Sequence, residues 1–264
     1  MEINPWLYIS LINLRRLIDT HAHLSNIANR EEVITRAKEA GVIAVIAVGA
    51  NQETSKKTLS WADEYPNYVY PGVGIHPTEF MNDNIEESLK FVEENLHRCV
   101  VLGEIGLDYW REAKNDESLK KKQQKIYTTQ LKIAEAHGLP ASVHGRGAWE
   151  DSLQIAQKYG PESIVFHWYS GPINIMKKVL DRGYYVSATP AVEYSRDHKV
   201  ALKEAPIERI LLETDSPVYM RNRRKTTEPA DVEITLKALA KLKDLDMDDI
   251  ASVTTRNAKR FFKI

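Results

Sequence analysis

The sequence predicts an α/β protein, a (β/α)8 TIM barrel with an N-terminal extension and an extra C-terminal helix. Three observations predict it. Short β-branched runs alternate with longer helical patterns eight times along 264 residues. Residues 42–48 form an almost unbroken apolar run, as expected of a parallel strand buried on both faces. Residue types that bind metals recur at the ends of these runs, far apart in sequence. Eight strand–helix repeats favour a closed barrel, with an open doubly wound sheet as the alternative.

The elements follow in order. Residues 17–22 make strand one, and the helix over 30–40 is closed by Gly41. Strand two, 42–48, leads to a helix over 53–64, and strand three covers 69–75. A helix over 85–96 precedes strand four, 99–105. The long helical stretch 116–137 ends at Gly138, a favourable C-cap. Strand five, 140–144, precedes a helix over 149–159. Strand six, 163–167, precedes a helix over 173–182 stopped by Gly183. Strand seven, 184–188, is followed by a helix over 195–204, and strand eight, 209–213, by a helix over 230–242. A last helix spans 247–262, with Asp248 and Asp249 in its first turn and Lys259 and Arg260 near its end, complementing its dipole. No Pro/Gly/Ser-rich linker interrupts the pattern, so residues 1–264 are expected to form one domain, with 1–16 as the extension.

Composition narrows the function. Hydrophobic residues make up 43% and charged residues 28%, an ordinary globular balance. Thirty-six basic and 37 acidic residues leave a net charge of −1, so bulk charge does not mark a nucleic-acid binder. Any grip on nucleic acid must come from a local patch or from metal ions. The single cysteine, Cys99, excludes an intrachain disulfide and suits a reducing cytosol, so a cytoplasmic location is expected. No apolar run approaches the ~20 residues needed to cross a bilayer. The apolar stretch 6–14 follows Glu2 rather than a basic region, which reads against a secretory signal and for a short helix packed on the domain.

The chemistry sits at the strand ends. His21 and His23 lie two residues apart at the end of strand one, so both point to one face. Glu104, His144 and His167 end strands four, five and six, and Asp215 follows strand eight. In a barrel all these ends meet on one rim, where active sites are built. An isolated histidine at a strand end is usually only a hydrogen-bonding residue, and Glu104 or Asp215 alone reads as a helix cap. The joint placement of four of the eight histidines with two carboxylates argues for a metal site instead. Mixed nitrogen and carboxylate donors suit Zn²⁺, Mn²⁺ or Mg²⁺. His97, His137 and His198 fall within helices, where a structural role is expected.

These residues stand in blocks with a wider likeness. Asp19-Thr20-His21-Ala22-His23-Leu24 is similar to the metal-binding opening of the amidohydrolase superfamily. Gly74-Ile75-His76-Pro77, Gly103-Glu104-Ile105-Gly106-Leu107-Asp108-Tyr109 and Leu212-Glu213-Thr214-Asp215-Ser216-Pro217 narrow this to the TatD-like metal-dependent deoxyribonucleases. The chain resembles that family from about residue 17 to its C-terminus. The resemblance implies that His21, His23 and Asp215 hold one divalent metal, that His144 and His167 hold a second, and that Glu104 bridges them. It implies further that Asp215 orients or deprotonates the attacking water, and that His76 contacts a substrate phosphate. Arg146 is similarly placed. The chain departs from the family at Ser25, where aspartate is common, at His167-Trp168-Tyr169-Ser170-Gly171 and at Thr227-Glu228-Pro229. None of these departures removes a ligand.

Arg221, Arg223, Arg224 and Lys225 fall in the loop after strand eight, where they would grip a nucleic-acid backbone or form a solvated loop. Tyr109, Trp110, Trp168 and Tyr169 follow ligand-bearing strands and would stack on bases or pack the loops. The expected function is therefore a two-metal deoxyribonuclease acting on single-stranded DNA, as an exonuclease by the resemblance, with catalytic residues Asp215, Glu104 and His76. Substrate contacts are expected from His76, Arg146, Arg221 and Arg223. DNA is the expected partner, with no membrane and no obligate protein partner. One alternative keeps the metals but cleaves carboxyl esters or amides, as a deacylase of charged tRNA would. Another is a non-catalytic barrel that binds nucleic acid or protein, whose expected signature is a lost ligand.

Overall fold

The computed structural model describes residues 15–79 and 84–264. The helix expected over residues 6–14 lies outside the described residues. Eight parallel strands lie in the order β1 to β8: β1 Leu17–Ala22, β2 Val42–Val48, β3 Val69–Val73, β4 Val101–Gly106, β5 Ala141–His144, β6 Ile164–Phe166, β7 Tyr185–Ala188 and β8 Ile210–Leu212. The helices are α1 Arg30–Glu39, α2 Gln52–Glu64, α3 Ile85–Asn95, α4 Glu117–Ala136, α5 Trp149–Tyr159, α6 Ile173–Asp181, α7 Arg196–Glu204, α8 Val232–Lys243 and α9 Met247–Phe262. This is the (β/α)8 TIM barrel with an additional C-terminal helix.

Closure joins β8 to β1. The Thr20 hydroxyl donates to the Leu212 carbonyl at 2.9 Å, and the amides of His23 and Asp215 donate to Ser216 and His21 at 2.6 and 2.9 Å. Asp19 reinforces the seam, accepting from the Thr214 amide at 2.9 Å and its hydroxyl at 2.6 Å. The segment carrying Asp215 is thus fixed against the segment carrying His21 and His23.

Helix starts are set by side chains that satisfy otherwise orphaned amides. Asn51 and Thr54 form a capping box on α2, and Asp116 accepts from the amides of Ser118 and Leu119 at the start of α4. Gly138, at φ +63°, lets the chain leave α4 in a left-handed turn that costs other residues strain.

Alternate strand residues supply two cores. Leu17, Val45, Leu102, Phe166, Val186 and Leu212 belong to the larger group, which packs with the helices. Ile18, Ile46, Val101, Val165, Tyr185 and Leu211 form a smaller group with Phe261 and Phe262 of α9. The last turn of α9 therefore packs its aromatic rings on the inward-facing residues and helps fill the barrel.

His198 on α7 is a satisfied core histidine. It is fully buried, with Nδ1 2.7 Å from the Tyr169 carbonyl and Nε2 accepting from the Thr189 amide at 3.1 Å. Burial pushes its pKa down to about 4 from an ordinary 6.5. A base that resists protonation when folded makes the unfolded chain the better proton binder below pH 6.5. Its stabilising contribution is therefore complete above that pH and is lost as pH falls toward 4, on the order of 3 kcal/mol in all. Chemical denaturation at pH 7 and pH 4.5 should show the stability gap between wild type and His198→Gln narrowing in acid. A gap independent of pH would contradict this. His97 and His137 are exposed, with Nδ1 3.0 and 2.9 Å from the carbonyls of Glu94 and Ile133, as their helical positions implied.

Candidate metal centre

The strand ends bring His23, Glu104, His144, His167 and Asp215 to the wall of one cavity of about 410 Å³, with His21 fully buried behind them. Glu104 lies at its floor, only 2% exposed, and its two carboxylate oxygens face different histidines. Oε1 is 2.6 Å from His167 Nε2, 2.8 Å from His144 Nδ1 and 3.4 Å from His76 Nε2. Oε2 is 3.2 Å from His23 Nε2 and 3.5 Å from His21 Nε2. Asp215 Oδ1 approaches the same two rings at 3.4 and 3.7 Å. Pairing of β4 with β5 is irregular between Leu102 and Ile105, and that of β1 with β2 between Asp19 and Ala22. Such irregularities interrupt strict two-residue alternation and re-aim side chains, here where Glu104 and His21 stand.

The donor atoms form three overlapping groups, each with all its atoms within 4.8 Å of one another: His21, His167 and Asp215; His21, His23 and Glu104; His76, Glu104 and His144. His21 Nε2 is buried and has no hydrogen-bond partner among the described residues, while its Nδ1 is 3.2 Å from the Ser142 hydroxyl. A buried lone pair aimed at carboxylates and backed by a hydroxyl fits a metal ligand.

Burial opposes ionisation of Glu104, yet His76, His167 and His144 hold its carboxyl well below the usual carboxylate range. Asp215 is likewise held down against burial by His23, His21 and His167. Burial opposes protonation of His23, but Asp215 and Glu104 outweigh it and raise its pKa to about 10. His144 and His167 are raised against burial too, by Asp108 and Glu104 for the first and by Glu104 and Glu213 for the second. Burial prevails at His76, whose pKa is lowered. Two ionised carboxylates under a roof of imidazoles attract cations, whether protons or a divalent metal.

Sequence reasoning assigned no role to the residues behind the ligands. Asp108 Oδ2 lies 3.0 Å from His144 Nε2 and accepts from Arg146 Nε and Nη2 at 3.0 and 2.6 Å. Glu213 Oε1 stands 3.5 Å from His167 Nδ1 and accepts from the Trp168 amide at 2.9 Å. Both lie within the blocks that carry the family likeness, and that position was the available signal.

A profile of the TatD related DNase family matches residues 18–263. The chain belongs to the TatD family. An uncharacterized metal-dependent hydrolase of Bacillus subtilis, YabD, is 34% identical over 260 residues, covering 94% of this chain and 99% of that protein. Human deoxyribonuclease TATDN3 is 27% identical over 258 residues, covering 93% of this chain and 94% of its own length. Among solved structures, the TatD homologue YJJV from Escherichia coli superposes with a TM-score of 0.86 over 95% of this chain and 99% of its own, at 24% identity, a likeness that speaks to the fold. This TatD protein is a metal-dependent hydrolase.

The rim of the TatD barrel is less uniform than its floor. Trp168 lines the cavity in a left-handed conformation, φ +42°, its amide donating to both Ser187 Oγ and Glu213. Trp110 is exposed at 55%. Tyr169 does not meet the expectation of base stacking, because it is fully buried and its hydroxyl donates to the Pro172 carbonyl at 2.8 Å. Tyr109 is packed too, its hydroxyl 3.1 Å from Asp151. The loop after β8 is a small hairpin, β9 Tyr219–Met220 paired antiparallel with β10 Lys225–Thr226. Arg221 and Arg224 lie at its tip, Arg223 is clamped to Glu193, and Lys225 bonds Asp231 at 2.7 Å. No helix among the described residues is long and apolar enough to cross a membrane.

Proposed function

We propose that this protein is a single catalytic unit that hydrolyses phosphodiester bonds of single-stranded DNA, acting at chain ends, with two divalent metals of the Mg²⁺, Mn²⁺ or Zn²⁺ type. The observation that carries the two-metal reading is the division of labour at Glu104. One of its oxygens faces His21 and His23, and the other faces His144 and His167. A bridging carboxylate needs this arrangement. His21, His23 and Asp215 would hold one ion, His144 and His167 the other, with Glu104 between.

Divalent cations held there neutralise the anionic phosphate and acidify water. The chain's own residues do the rest. Asp215, ionised and facing the cavity, accepts the proton of the attacking water. His76 Nδ1 accepts the Thr78 amide at 3.2 Å, which puts the neutral ring's proton on Nε2. That N–H points into the cavity toward Glu104 and serves a non-bridging phosphate oxygen as donor. Arg146, on the cavity wall, adds positive charge for the phosphate while it holds Asp108. Trp168 offers an indole face for a base beside the scissile bond.

Turnover of a single-stranded oligonucleotide, set against a carboxyl ester on the same metal-loaded sample, tests this reading. Cleavage of the diester supports it, and cleavage of the ester alone overturns it.

Asp108 fixes the His144 ring from behind, and such partners typically contribute 10–100-fold to metal affinity. Asp108→Asn should therefore weaken metal binding by about 10-fold or more, measured by competition with a chelating dye. Unchanged affinity would reduce Asp108 to a rim salt bridge.

A further inference from the structure

Beside the ligand cavity lies a second one of about 320 Å³, lined by Tyr194, Tyr219, Arg221 and Asn222. None of these belongs to the metal-ligand cluster. Tyr194 and Tyr219 are 48% and 59% exposed, so two large rings stand open to water in one concave place. The two cavities are linked along the chain. Pro217 and Val218 line the ligand cavity, and Tyr219 is the next residue along the chain. Burial and the Asp215 carboxylate both push the Tyr194 phenol up.

The two rings sit on separate elements that are locked together. Tyr194 follows the helical turn Pro190–Glu193, and Tyr219 opens the hairpin of β9 and β10. Glu193 joins them, accepting from Arg223 Nε and Nη2 at 2.8 and 2.5 Å and from Asn222 Nδ2 at 3.0 Å. The hairpin is pinned at its base, where the amides of Val218 and Thr227 donate to Thr227 Oγ1 and the Val218 carbonyl at 2.8 and 2.9 Å. Met220 anchors it, 1% exposed. Arg223 and Lys225 are matched by Glu193 and Asp231, whereas Arg221 forms no ion pair with any described residue.

We propose that this cavity is a nucleobase subsite. Tyr194 and Tyr219 stack one base of a single-stranded DNA chain whose scissile phosphate lies in the ligand cavity, and Arg221 holds an adjoining phosphate. Arg223 is then a positioning residue, its charge spent on Glu193 to hold the two rings together. Stacking on tyrosine suits any base, so the subsite confers a preference for single strands over duplexes without sequence selectivity. The inference rests on the nuclease reading above.

The test compares kcat and KM on a single-stranded oligonucleotide with those on bis(p-nitrophenyl) phosphate, a diester too short to reach both cavities. For Tyr219→Ala the oligonucleotide KM should rise about tenfold while the small diester is unaffected. Tyr219→Phe, which keeps the ring, should match wild type. Arg221→Ala should reduce the dependence of log KM on log salt by roughly 0.7, the value for one phosphate contact on a single strand. An unchanged oligonucleotide KM in Tyr219→Ala, or an equal loss on both substrates, overturns the subsite. If wild type cleaves the oligonucleotide and Tyr219→Ala and Arg221→Ala match it, the subsite alone falls. If wild type cleaves only the small diester, the nuclease reading falls and takes the subsite with it.

Discussion

Asp215→Asn is expected to reduce turnover by roughly 10²–10⁴-fold, the usual contribution of a positioned general base, with the fold intact. The substitution isolates the chemistry because of where Asp215 sits. Its backbone is left-handed, φ +51°, a conformation asparagine adopts nearly as readily as aspartate. Its amide bond to the His21 carbonyl, which helps close the barrel, does not involve the side chain. Asparagine keeps the shape and the carbonyl oxygen but cannot take a proton, and it is a weaker ligand. Thermal unfolding and circular dichroism should match wild type while the rate collapses. Near-native turnover would remove Asp215 from the mechanism.

The second large effect is on metal content. On the two-metal proposal, Glu104→Ala should lower it from roughly two ions per chain to below one, because one carboxylate would support both histidine sets. Elemental analysis after dialysis reads this directly. A fall to a single retained ion would mean that Glu104 serves one site only, and unchanged stoichiometry would refute bridging. Removing a buried charge among histidines also costs stability, on the order of 3–5 kcal/mol when a partner is left uncompensated. Glu104→Gln is therefore the companion variant. It preserves volume and one oxygen, and should lose metal without the same loss of packing.

Much of this centre was legible in the sequence, for a physical reason. A parallel strand buried on both faces must be continuously apolar, so a polar residue at its end stands out. The bounds of β1, β2, α5 and α9 coincide with the runs read from the sequence. The barrel then carries His21, His23, His76, Glu104, His144, His167 and Asp215 to one rim without further assumptions.

What stayed hidden depends on which side chain finds which partner. The strands of the hairpin bearing Tyr219 and Arg221 are two residues each, too short for any alternation to show, and its basic residues read as an open loop. Arg223 and Arg146 could be recognised as cations, but their commitment to Glu193 and Asp108 is tertiary. Tyr169 follows a ligand on a strand end, as Trp168 does, yet the chain turns one ring inward and the other toward the cavity. The role of α9 in filling the barrel was likewise invisible, because a helix pattern states that a face is buried and not what it is buried against.

The most direct test of the central claim is digestion of end-labelled single-stranded DNA by chelator-stripped protein, with and without added Mg²⁺ or Mn²⁺. The account predicts no cleavage by the stripped protein, and progressive shortening from one labelled end once metal is restored. DNA left intact under every metal, by a sample that hydrolyses a carboxyl ester, would contradict the nuclease and leave the barrel and its metal ligands serving other chemistry.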